Sequence, residues 1–94
     1  MAGERTLQQF IIKECKKHDT LCYKFSSPGR VGMPDLICVP LDRPVYFIEV
    51  KNPNGRGRIS KVQVLVNKRI NAQGTKAYVV SSKEQALEII THGG

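Results

Sequence analysis

The stretch VYFIEVKN, Val45 to Asn52, constrains this chain more than any other. It reads as a short strand apolar enough to be buried. Yet it carries Glu49 and Lys51, two residues apart and so on one face of the strand. Burying a charge is costly unless it is paired, hydrogen-bonded or metal-bound. A fold that accepts this strand in its interior must therefore supply partners for both groups.

The preceding apolar run, Asp35 to Val39, offers one. If residues 40–44 make the turn, an antiparallel hairpin opposes Val39 with Val45, Ile37 with Phe47 and Asp35 with Glu49. The two carboxylates then face each other with Cβ atoms about 5 Å apart, and Lys51 projects from the same face one pleat further on. Like charges opposed on a sheet destabilise it. A divalent cation reverses the sign, since two carboxylates, water and phosphate oxygens suit Mg²⁺.

The rest of the chain supplies the frame. Glu4 to His18 reads as a helix with an apolar stripe of Leu7, Phe10, Ile11 and Cys15. LCYKFS, residues 21–26, alternates as a half-buried strand, with Leu21, Tyr23 and Phe25 on one face. SSPGRVGMP follows as a loop. PNGRGR, residues 53–58, is a basic loop. Ser60 to Gln73 begins with the alternation KVQVLV, but Val62, Leu65, Val66 and Ile70 fit a helical stripe. Ser60 and Gln63 fit a capping box, and Gly74 marks the stop. Ala77 to Val80 is a strand and Ser82 to Thr91 a closing helix, with a second possible cap at Ser82 and Gln85. A strand-helix-strand crossover places the last strand parallel to the third. The expectation is one small α/β domain spanning residues 1–94 around a mixed sheet.

Charge narrows the partner. The net charge is +7, and the excess lies in one segment: between Lys51 and Lys76 there are seven basic residues and no acid. That favours a polyphosphate partner over a neutral one. No apolar run is long enough to span a membrane, and MAGERTLQQF lacks the apolar core of a signal peptide. The reading expects a complete intracellular chain in the cytoplasm, the host's if a phage encodes it. Cys15, Cys22 and Cys38 then read as reduced thiols in the core and at the surface. Cys15, His18 and Cys22 cluster in sequence, but their spacing fits no familiar zinc pattern. NGRGRIS lacks the third glycine and the Gly-Lys-Ser/Thr of nucleotide-binding loops, so no nucleotide cofactor is expected.

Gly32-Met33-Pro34-Asp35, then Glu49-Val50-Lys51, with Gln63 in the next helix, resemble the PD-(D/E)xK nuclease signature. Among its branches they are most similar to the virus-type replication-repair nuclease (VRR-NUC) domain, from Glu4 to about Ser81. The resemblance implies a restriction-endonuclease-like mixed β-sheet core, ordered helix-strand-strand-strand-helix-strand with a C-terminal helix. It also implies a metal-dependent endonuclease. Asp35, Glu49 and the Val50 carbonyl would hold Mg²⁺, with Mn²⁺ as a substitute. Lys51 would position or activate the attacking water, and Gln63 would orient Lys51 or that water, beside its capping role. Glu4 would be the first-helix acid, with Glu14 in reserve. Arg30, Arg56, Arg58 and Lys61 would touch DNA phosphates. Stand-alone domains of this kind resemble junction resolvases, which implies a homodimer acting on four-way junctions. The other readings are flap or nicking activity, an RNA-processing nuclease, and a non-catalytic DNA-binding module.

Overall fold

Helix α1, Glu4–Lys17, forms where Leu7, Ile11 and Cys15 recur every fourth residue, and all three are buried. It opens the computed structural model, which describes residues 3–25, 32–52 and 60–92. Strands β1 (Thr20–Lys24), β2 (Leu36–Pro40) and β3 (Tyr46–Val50) follow. After them come helix α2 (Lys61–Ala72), strand β4 (Lys76–Val80) and helix α3 (Lys83–His92). The four strands form one sheet in chain order. β1, β2 and β3 pair antiparallel, while β4 lies parallel to β3 across the α2 crossover. The mixed α/β architecture is the expected one.

The hairpin register is also the expected one: Ile37 faces Phe47, and the pairs Leu36–Ile48 and Cys38–Tyr46 flank it. Strand alternation then sorts the sheet. Leu36 and Cys38, together with Tyr46, Ile48 and Val50, point into a core closed by Leu7, Ile11 and Cys15 of α1 and Ala86, Ile89 and Ile90 of α3. The intervening positions, Phe47 and Glu49 among them, point to the other face. There α2 packs over β4 and reaches Glu49.

β1 corrects the sequence reading. Its apolar face is not the buried one: Leu21 and Tyr23 are 57% and 58% exposed. The reason is long-range. Cys22 lies directly opposite Cys38, and cross-strand partners share a face. Since Cys38 points into the core, Cys22 must as well. The α2 stripe is likewise only partly covered, with Val62 and Leu65 exposed and Val66 and Ile70 half-buried.

Local chemistry behaves as read. The Ser60 hydroxyl accepts from Gln63 N–H at 3.1 Å while Gln63 Oε1 accepts from Ser60 N–H at 2.9 Å, a complete capping box. Gly74, at φ +91°, takes the left-handed conformation that ends α2. At α3 the Ser82 hydroxyl accepts from Gln85 N–H, but Gln85 Oε1 reaches back to the N–H of Ser81 rather than of Ser82.

Candidate active site

Asp35 and Glu49 stand one step beyond the last paired residues of the hairpin, Leu36 and Ile48. With no further rung there, the Val50 N–H donates to Asp35 Oδ2 at 2.8 Å. Asp35 is thus anchored beside Glu49 by the backbone of the strand that carries Glu49. That glutamate is 2% exposed, the most buried charge in the sheet among the described residues.

Gln63 joins the remaining groups. Lys51 Nζ donates to Gln63 Oε1 at 2.9 Å, and Gln63 Nε2 donates to Glu49 Oε2. Lys51 Nζ also lies 3.4 Å from Glu49 Oε2. An ammonium can only donate and a carboxylate can only accept, so a single orientation of the Gln63 amide satisfies both. The same Oε1 closes the capping box on Ser60. One side chain therefore fixes the start of α2 and ties it to Lys51 and Glu49. The capping reading of Gln63 holds, and the same amide also contacts Lys51 and Glu49.

Burial, and then the nearby Asp35 charge, push the Glu49 carboxyl up to about 7, against the pull of Lys51. Glu4, exposed in the first turn of α1, is close enough to add to that push. Glu14 belongs elsewhere: it lies ten residues, about 15 Å, further along α1 and is ion-paired with Lys17 at 3.1 Å. The remaining Glu49 oxygen, Oε1, is buried with no hydrogen-bond partner among the described residues. A raised, crowded carboxylate with an unsatisfied oxygen beside a second carboxylate fits a divalent cation.

Lys61 is the first residue of α2 and exposed, two positions before Gln63. Arg30, Arg56 and Arg58 lie outside the described residues. Of the residues expected at the site, Asp35, Glu49, Lys51 and Gln63 form one connected group, and Glu4 is coupled to it through its charge.

Gly32 is a positional residue that the sequence motif contained without explaining. Its φ is +89°, and a Cβ there would stand 2.6 Å from Val62 Cγ1 and 3.1 Å from the Val62 backbone. Gly32 therefore lets the segment leading to Asp35 pass close under the first turn of α2, next to Gln63. Gly32→Ala must strain the backbone and push Val62 away. The expected cost is about 1–3 kcal/mol in urea unfolding. Cleavage should fall by more than the loss of folded protein explains, because Gln63 moves with Val62.

A restriction-like sheet bearing an Asp, a Glu-x-Lys and a helical Gln on one face is the arrangement of a nuclease domain. The chain belongs to the VRR-NUC domain family, whose model matches residues 2–84. A solved structure of a VRR-NUC domain superimposes with a TM-score of 0.84 at 27% sequence identity, covering 95% of both chains. Protein p44 of Acyrthosiphon pisum secondary endosymbiont phage 1, whose name gives it as a presumed nuclease, is 28% identical over 81 residues, 86% of this chain and 85% of its own length.

Proposed function

We propose that this nuclease is a metal-dependent, structure-selective DNA endonuclease that works as a homodimeric four-way (Holliday) junction resolvase. The observation that carries the metal-dependent reading is Glu49: buried, opposed by Asp35, tied through Gln63 to Lys51, and holding an oxygen that no group among the described residues satisfies.

Asp35, Glu49 and the Val50 carbonyl would hold Mg²⁺, or Mn²⁺ in its place. The bound cation supplies a water of lowered pKa and offsets charge on the scissile phosphate. Lys51, held by Gln63, aims its ammonium at the attacking water or at a non-bridging phosphate oxygen. Gln63 keeps that ammonium from collapsing fully onto Glu49. Glu4 adds negative charge at the rim. The expected products carry 5′-phosphate and 3′-hydroxyl ends.

The basic excess supports a DNA partner. Arg30, Arg56, Arg58 and Lys61 are the proposed phosphate contacts. Changing Arg56 and Arg58 together to Ala should weaken binding and flatten the dependence of log K on log salt by up to about two units. An unchanged slope removes both from the interface. Paired cleavage needs two active sites, and exposed Leu21, Tyr23, Val62 and Leu65 provide apolar surface that a second copy could cover.

The experiment is cleavage of a labelled four-way junction and its matched duplex, with Mg²⁺, with Mn²⁺ and with chelator. Paired, symmetric nicks in the junction with Mg²⁺ support the whole reading. Cleavage of flaps or nicks by a protein that light scattering finds monomeric retains the nuclease and overturns the resolvase. Binding without cleavage in either metal leaves a DNA-binding module. Faster cleavage of a matched RNA junction reassigns the substrate.

A further inference from the structure

On the opposite face of the sheet the fold gathers all three cysteines of the chain. The sulfurs of Cys15 on α1, Cys22 on β1 and Cys38 on β2 lie within 4.8 Å of one another, with Cys22 and Cys38 3.7 Å apart. We propose that they form a three-thiolate site for a soft, thiophilic d¹⁰ cation of the copper(I) type, separate from the carboxylate site and structural in its role.

Geometry is the first ground. A cation held by thiolates at about 2.3 Å keeps its sulfurs roughly 3.8–4.0 Å apart, so sub-ångström adjustments close the site. The second ground is the set of donors. Cys15 and Cys38 are fully buried, and His18 is turned to Glu14 at 4.0 Å, so it does not join them. Among the described residues the trio is the only place where three or more His, Cys, Asp or Glu ligand atoms meet, and it contains no fourth nitrogen or sulfur. Three soft ligands without a fourth suit a three-coordinate soft cation better than zinc, which favours four.

Tyr46 is the third ground. Its hydroxyl is buried with no hydrogen-bond partner among the described residues, and Cys15 and Cys38 stand beside it, with Arg43 also near. Thiolates there would give it an acceptor, in the way outer groups orient metal ligands. Access exists as well. A surface groove of 270 Å³ beside Ile12, Lys16 and Tyr23 reaches half-buried Cys22. Loading would pin α1 to the β1–β2 edge, and thereby the helix that carries Glu4.

The test uses the reduced, full-length protein under anaerobic conditions. Cu⁺ is delivered from a competing chelator, Cd²⁺ serves as an absorbance probe of thiolate bonds, and Zn²⁺ is the comparison. One Cu⁺ per chain, one equivalent of Cd²⁺ with thiolate charge transfer, a raised Tm, and loss of all three in Cys22→Ser support the site. X-ray absorption on copper-loaded wild type should read three sulfurs, which decides the matter even if the serine variant folds poorly. Absence of stoichiometric Cu⁺, a shell of two sulfurs, Zn²⁺ binding tighter than Cu⁺, or full retention in Cys22→Ser each overturns it. Mg²⁺ should neither fill the site nor displace its metal.

Discussion

Lys51→Ala should bind a four-way junction as wild type does, within a few-fold, and cut it roughly 10³-fold more slowly in single-turnover assays. The ammonium is mostly buried and contacts Gln63 Oε1 and Glu49 Oε2, so its loss affects two partners at once. Gln63 keeps its cap on Ser60 but loses the donor that aims it into the site. Glu49 loses the charge that holds its carboxyl down. Lys51→Arg separates the contributions. An arginine preserves the positive charge but cannot give up a proton and does not share the geometry of an ammonium. Rescue by Arg would reduce the role of Lys51 to electrostatics. Cleavage by Lys51→Ala within tenfold of wild type would remove Lys51 from the reaction.

The second large effect is on stability. Glu49 has its carboxyl pushed up from the ordinary 4.5 to about 7 in the folded chain. The folded protein therefore holds a proton that the unfolded chain has already released in that interval. The contribution of Glu49 is greatest below pH 4.5 and is lost as pH rises through 7. Two to three pKa units correspond to about 3 kcal/mol. Metal-free wild type should thus lose up to about 3 kcal/mol relative to Glu49→Gln between pH 5 and pH 8, measured by urea unfolding in chelator. Adding Mg²⁺ at pH 8 should restore stability to wild type and do little for Glu49→Gln, which should also be inactive. Parallel pH curves for the two proteins would mean that Glu49 titrates normally.

Much of the site was legible in the residues because its chemistry is local. The hairpin register followed from a turn of fixed length between two short apolar runs, and it brought Asp35 to Glu49. The capping box at Ser60 and Gln63 followed from a three-residue spacing. Both depend on backbone geometry within a few residues, where sequence spacing and spatial distance are nearly the same thing. The face of β1 was not legible. Alternation in LCYKFS defines two faces but not which one is covered, and the more apolar face is the exposed one.

The sequence by itself determined the order of elements, the hairpin that opposes two carboxylates, the Glu-x-Lys spacing, and the basic excess that calls for a phosphate-rich partner. Only the tertiary structure decided that one amide would serve Ser60, Lys51 and Glu49 together, since that depends on where α2 docks. It alone decided that Gly32 would lie against Val62, thirty residues on, and that three cysteines from three elements would meet. The physical reason is the same in each case. These contacts are set by which helix covers which face of the sheet, and the choice is made by the summed burial of the whole core rather than by any short stretch of chain.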